Sequence, residues 1–273
     1  MTKQNTCLAL LCVFSVVLVC VHVYNVQAQE PTGTPLPPSA SVKGMYLDVL
    51  TGYRTDEQAF IVSKQQYVQV QTLGNLDAAV KAFKQVQMSR TQTATLYLQT
   101  LLSTVSEAKG MDLAKKAIIM QKLNTTLSAL LDNQSQVDVA TDRVGLEATA
   151  KTFAAQQKAF EAVTYETLAL LRITQMQSAV DQLSVTSDLI HTQIVARNLD
   201  ATTMAEKQRG FDEVARTINS VKAAILKANQ FHDRVSAQSN YTNSSYNQIV
   251  SMLNAGYPQL RQADSFLVEL AGK

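Results

Sequence analysis

The chain has no tryptophan, and its only cysteines are Cys7, Cys12 and Cys20, all near the amino terminus. Without that segment the chain has no thiol, so it can form no disulfide and offers no cysteine to a metal. The histidines beyond it, His191 and His232, belong to no H-x-x-x-H or H-x-x-E pattern. Hydroxyl groups are abundant but candidate bases are scarce. We therefore expect no enzyme, with no catalytic, cofactor-binding or metal-binding residues.

Proline is absent between Pro38 and Pro258. A β-rich domain of that length would use proline at turns and sheet edges, whereas helix interiors exclude it. Apolar residues recur at steps of three and four, and no useful strand alternation competes. These features predict an all-α fold over residues 44–273. We expect an elongated up-and-down bundle of long antiparallel helices with coiled-coil-like packing.

The chain also lacks a basic stripe and a polybasic cluster. Its 24 Lys and Arg residues and 22 Asp and Glu residues give a formal net charge of +2. A nearly neutral chain is a poor partner for nucleic acid, and it offers an anionic membrane no cluster to attract. Aliphatic runs beyond the amino-terminal segment, such as residues 117–120, are too short to span a bilayer. We expect membrane contact only through the amino-terminal segment, if it is uncleaved.

That amino-terminal segment predicts export. A short polar start with one lysine precedes a nearly continuous apolar stretch at residues 7–24, and Val26 and Ala28 then satisfy a signal peptidase. We predict a signal peptide over residues 1–28, cleaved between Ala28 and Gln29. The alternative is an uncleaved anchor, because the apolar stretch is almost long enough to span a bilayer. The predicted location is secreted or extracytoplasmic, in the periplasm or at the cell surface, and membrane-anchored if residues 7–24 are retained.

Residues 29–43 follow as a predicted linker, because prolines of this density favour an extended backbone. The first helix is predicted to begin at Thr55, where Thr55 and Gln58 fit a capping box. The residues that interrupt or bound the later helices are predicted to be Gly74, Gly110, Asp112, Gly145 and Gly256.

The cleanest apolar repeat belongs to one later helix and predicts a narrow packing seam with Ile218 and Val221 buried. The repeat consists of Met204, Phe211, Val214, Ile218, Val221, Ile225, Ala228, His232 and Val235. His232 has two interpretations, a hydrogen-bonded histidine near a helix end or a pH-sensitive packing residue. The first is favoured, because one imidazole near a helix end rarely controls a fold.

Residues 236–247 form a predicted loop that is rich in Ser and Asn and carries Tyr241, Asn243 and Tyr246. Rigid tyrosines among small polar residues are typical of binding loops, so these three residues are the candidate partner-binding site. The alternative is an ordinary connection between helices, since polar loops are common.

Taken together, these features predict an exported, non-enzymatic helical bundle that acts as a binding or scaffolding module. A protein partner or self-association is expected. One alternative is a membrane-active or toxin-like helical protein, and another is an extracytoplasmic bundle that binds a small ligand. The sequence does not identify the partner.

Overall fold

A computed structural model describes residues 36–197, 199–238 and 241–272. Within these ranges the chain forms seven α-helices and no strand, which confirms the predicted all-α fold. The helices are α1 Ser39–Gln69, α2 Leu73–Glu107, α3 Leu113–Val139, α4 Arg143–Val195, α5 Ala201–Ala237, α6 Asn243–Asn254 and α7 Gly256–Gly272. None of these helices is both long and apolar enough to cross a bilayer.

The amino-terminal predictions mostly lie outside the described residues, including the signal peptide, the apolar stretch at residues 7–24, Ala28 and Gln29. The predicted start of the bundle at residue 44 is wrong, because α1 already begins at Ser39. The carbonyl of Pro38 accepts the first helical hydrogen bond, from the amide of Val42 at 3.2 Å. Proline suits this position because a helix start needs no amide donor from it.

The predicted helix start at Thr55 is also wrong, because Thr55 lies inside α1 and its hydroxyl donates to the Thr51 carbonyl at 3.3 Å. The helix extends further because a seam of less exposed residues, with alternating steps of three and four, runs along its whole length. That seam consists of Ser39, Val42, Tyr46, Val49, Tyr53, Asp56, Phe60, Ser63 and Tyr67. Two thirds of its residues are polar or tyrosine, so it does not stand out as an apolar stripe in the sequence.

Side-chain caps define the starts of the middle helices. Asp112 accepts a hydrogen bond from the Lys115 amide at 2.9 Å, which confirms the predicted cap of α3. Asp142 caps α4 in the same way through the Gly145 amide at 2.8 Å. The break predicted at Gly145 therefore precedes that residue by a few positions.

Two further helix interruptions were predicted at glycines, Gly110 and Gly74. Gly110 has a φ of 74° in the connection after α2, a conformation that other residues rarely adopt. Gly74 lies in the first turn of α2, and the break predicted there falls at residues 70–72 instead. Thr72 caps α2 by accepting a hydrogen bond from the Asn75 amide at 3.2 Å.

The first helices run antiparallel to their neighbours in sequence. Ser39 donates to the Glu107 carboxylate at 2.6 Å at one end of the α1–α2 pair, and the rings of Phe60 and Phe83 lie 5.1 Å apart toward the other. Helices α2, α3 and the first part of α4 pack together, whereas the backbone of α1 approaches only that of α2 in the described part of the chain.

The long helix α4 joins this group to a second one. It has 53 residues, and at 1.5 Å per residue it is about 80 Å long. Its later part packs against α5, α6 and α7. Residues 163–176 are buried on nearly every side, because helices of both groups meet there. Ile218 and Val221 are buried on α5, as predicted.

A break between α6 and α7 allows them to continue along α5. The predicted interruption at Gly256 is confirmed, because α6 ends at Asn254 and α7 begins at Gly256. A Cβ atom at Gly256 would lie 3.2 Å from Val221 and 3.3 Å from Met176, so glycine permits a close approach to α5 and α4. At the far end of α7, Lys207 of α5 donates to the Leu270 carbonyl at 2.8 Å.

Candidate functional site

The predicted binding loop is shorter than expected, and its first tyrosine is buried. Helix α5 continues to Ala237 and α6 begins at Asn243, so residues 238–242 connect them. Tyr241 is only 4% exposed, with its ring centroid 5.6 Å from that of His232. The prediction that Tyr241 offers an exposed contact is therefore wrong.

The other two residues of the predicted site, Asn243 and Tyr246, lie in different environments. Asn243 is exposed at the start of α6, where its side-chain oxygen accepts a hydrogen bond from Asn247 at 3.2 Å. Tyr246 is half-buried on the same helix, with its ring centroid 6.1 Å from that of Tyr165. It also interacts electrostatically with Arg172. The three residues therefore do not form one exposed surface.

The early start of α6 explains this difference. Thr242 accepts a hydrogen bond from the Ser245 amide at 3.3 Å and caps the helix. The residues after it thus follow a helical period, which turns Tyr246 toward α4 instead of leaving it in a loop.

Beside this connection lies a partly buried polar cluster, which we call the junction: Lys115, Lys122, Glu166, His232, Asp233, Ser236 and Tyr241. At its centre Glu166 of α4 is 6% exposed. Its carboxylate accepts hydrogen bonds from Lys122 at 2.7 and 2.9 Å and another from the Ser236 hydroxyl. These bonds offset the cost of removing the carboxylate from water, so α3, α4 and α5 are joined at one point.

A second ion pair lies beside the first. His232 is buried, and its Nδ1 lies 3.1 Å from an Asp233 oxygen that also accepts from Lys115 at 2.6 Å. Burial lowers the pKa of His232. Burial alone would raise the pKa of Asp233, but its hydrogen bonds with Lys115 and His232 hold it below the usual value. Burial, with Glu166 and Asp233 nearby, raises the pKa of Tyr241.

The junction has the composition of a reactive site but not its connectivity. Nucleophilic catalysis needs a base that takes the proton of the hydroxyl. The Ser236 hydroxyl donates to the Glu166 carboxylate, which also accepts a hydrogen bond from Lys122. The described contact of the His232 ring is between its Nδ1 atom and Asp233. Nowhere in the described ranges do three or more His, Cys, Asp or Glu side chains come together as a metal site. The contacts of the junction account for how α3, α4 and α5 are held in position.

A different surface lies at the far end of the α1–α2 pair. Residues 51–85, which we call the arm, contain no buried residue, although Leu50 and Val86 on either side are buried. The exposed aliphatic residues of the arm are Ile61, Val62, Val68, Val70 and Leu73. Such a concentration of exposed apolar residues is typical of an interaction surface.

The arm lacks a third helix because α3 ends and α4 begins near its base. The Lys84 ammonium group donates to the Asp138 carbonyl at 2.6 Å and the Ala140 carbonyl at 3.1 Å. It thereby satisfies carbonyls left open at the end of α3. Val139 and Val144, on either side of that connection, are both exposed. Beyond Lys84 the pair α1–α2 continues without α3 or α4.

The open groove at the base of the arm is polar. It has a volume of about 420 Å³ and is lined mostly by α2, with Asp138 of α3 on one side. Lys84 borders it, but its ammonium group is already bound to the two carbonyls. The groove therefore offers a small ligand few unengaged charged groups.

Sequence reasoning missed both the arm and the junction. A signal for the arm was present, since Tyr53, Phe60 and Tyr67 recur at seven-residue steps on α1. No comparable signal marked the junction, because its members are scattered over four segments of the chain.

No protein family, curated protein or solved structure matches this chain.

Proposed function

We propose that this protein is an exported, non-enzymatic helical bundle that binds a protein partner, and that the arm is its docking surface. The observation that carries the proposal is the absence of any buried residue between Leu50 and Val86, in a helical pair with exposed aliphatic residues. Two helices alone cannot bury both sides of their contact, so a third element would remove further apolar surface from water.

The occupant that fits is an amphipathic helix of the partner. Leu73, Val80 and Lys84 share one face of α2, and Thr91, seven residues later, hydrogen-bonds to Asn133 of α3 at 3.4 Å. The face that α3 covers in the bundle thus continues, uncovered, onto the arm. A helix in line with α3 would extend an interface that the bundle already has.

Charge and length define this partner further. The arm has four basic residues and three acidic ones, which are Arg54, Lys64, Lys81, Lys84, Asp56, Glu57 and Asp77. Its near-neutral balance favours apolar packing over electrostatic attraction. The part beyond Lys84 is about three helical turns long. A partner helix of similar length, with apolar residues at steps of three and four, would cover it. The heptad spacing of α1 also supports coiled-coil-like packing in this assembly.

Site-specific photocrosslinking in the native host tests the proposal. A photoreactive amino acid replaces Leu73 in the full chain, and a matched variant carries it at Val185 of α4, which is also an exposed aliphatic position. We expect a protein adduct at position 73 but not at 185, with the crosslinked peptide lying in an amphipathic helix of the partner. Neither substitution should change the melting temperature noticeably, because both side chains are exposed.

Other outcomes would contradict the proposal in distinct ways. Equal adducts at positions 73 and 185 would show that the arm has no special affinity. Adducts with lipid at position 73 would favour the membrane-active alternative, and leakage of vesicles would confirm it. An adduct with a second copy of the chain would identify self-association instead of a separate partner.

A further inference from the structure

Near the end of α5, a buried histidine lies among charged neighbours. His232 is 4% exposed and packs against Tyr241 of the α5–α6 connection. The charged or titratable groups that interact with it are Lys115 of α3, Glu166 of α4, Asp233 of its own helix and Tyr241. Lys122 of α3 is in contact with Glu166 and Ser236.

The counter-charges of the junction are already engaged. Asp233 accepts from Lys115 at 2.6 Å, and Glu166 accepts from Lys122 at 2.7 Å. In the described part of the chain, Nε2 of His232 has no hydrogen-bond partner. A second proton on the ring would therefore place a new charge, and a donor without an acceptor, in a buried site. Both changes disfavour the closed packing.

We propose that His232 is a proton-sensitive latch, whose protonation in acidic surroundings expels the ring from the junction and releases Tyr241 and the start of α6. The described parts that open are the last turn of α5, Tyr241 and the first turn of α6. Opening exposes Tyr241 and the Lys122–Glu166 ion pair to water. This latch is independent of the partner proposed for the arm.

The direction of the pH effect follows from the lowered pKa of His232, which burial causes. The open state binds a proton near the ordinary histidine value of about 6.5, and the closed state binds it only at lower pH. The closed state therefore has its full stability above about pH 6.5 and loses stability as the pH falls toward the pKa of the closed state. In that range the open fraction rises about tenfold for each pH unit.

The carboxylate of Asp233 titrates in a different pH range. Its pKa lies below the usual value, so the stability that its ion pair contributes is present above about pH 4 and is lost only under stronger acid. The titration of Asp233 therefore does not overlap the range between pH 7.5 and 5.

Hydrogen exchange of the full chain, measured by mass spectrometry from pH 7.5 to 5, tests the latch. Rates are corrected for the intrinsic pH dependence of exchange. We expect protection of peptides covering residues 232–246 to fall about tenfold per pH unit below about 6.5. Peptides covering residues 91–105 of α2 should keep constant protection, because they contain no histidine and lie in the buried part of that helix.

Two variants separate the latch from a general acid effect. His232→Phe keeps a ring against Tyr241 and removes the titrating group, so protection should no longer depend on pH; His232→Gln serves the same purpose if the phenylalanine variant does not fold. His191→Phe is the matched control, because His191 also packs on an aromatic ring, that of Phe211 at 4.9 Å, and lies outside the junction. It should retain the wild-type pH dependence. Constant wild-type protection, a pH dependence that survives both changes at position 232, or its loss in His191→Phe would overturn the proposal.

Discussion

At the scale of single residues, the junction shows how polar side chains hold helices together. Glu166 accepts hydrogen bonds from Lys122 and Ser236, which belong to different helices. A buried carboxylate is tolerated only when such partners compensate it. Tyr241 is buried beside these groups, with its ring packed against that of His232.

Lys122→Met should lower the free energy of unfolding by about 2–3 kcal/mol, because it leaves Glu166 buried with one hydrogen-bond partner. The loss is smaller than for a fully enclosed pair, since water reaches the Lys122 side chain, which is 36% exposed. Urea denaturation measures the change. The double variant with Glu166→Gln should recover part of the loss, and an unchanged single variant would show that the pair contributes nothing.

At the scale of elements, one rule explains why the buried face of α5 was predicted correctly and why the start of α1 was not. Helix α5 packs against α4, α6 and α7, so its seam must be apolar and was recognisable as Ile218, Val221 and their neighbours. The backbone of α1 approaches only that of α2, and its seam accepts Asp56 and Ser63 because water reaches both. An apolar pattern is therefore readable only where several neighbours exclude water.

Ile218→Asp should unfold the bundle or lower its stability by several kcal/mol, because Ile218 is 5% exposed in that seam and an unpaired carboxylate would be buried there. Leu226→Asp is the matched control on the same helix, where the side chain is 58% exposed and the change should stay within about 0.5 kcal/mol. Thermal melting followed by circular dichroism compares them. Equal melting temperatures for the two variants would contradict the assigned face of α5.

At the scale of the whole molecule, the helices form two groups that share α4. Buried polar contacts join parts of these groups that are distant along the chain. Gln87 of α2 donates to the Leu146 carbonyl at 2.9 Å, and Asn133 of α3 donates to the Thr149 carbonyl at 3.0 Å. Such buried amides have their partners only when the helices align correctly, so they favour this alignment over others.

The export of the molecule remains a prediction from residues 1–28. Protein purified from the native host should begin at Gln29, because Val26 and Ala28 satisfy the cleavage site. Amino-terminal sequencing determines this directly. Recovery of residues 7–24 on a membrane-bound protein would establish the anchor instead, and the bundle would then be tethered through its proline-rich linker.

The sequence by itself determined the helical class, the caps such as Asp112 and the buried face of α5, because these depend on neighbours a few residues apart. Only the tertiary structure decided that Tyr241 is buried, that Glu166 meets Lys122 and that residues 51–85 have no third helix. Those outcomes depend on where α3 ends and on which helices approach one another. Burial of a polar side chain is stable only with partners, and these partners lie far away along the chain, where local periodicity carries no information about them.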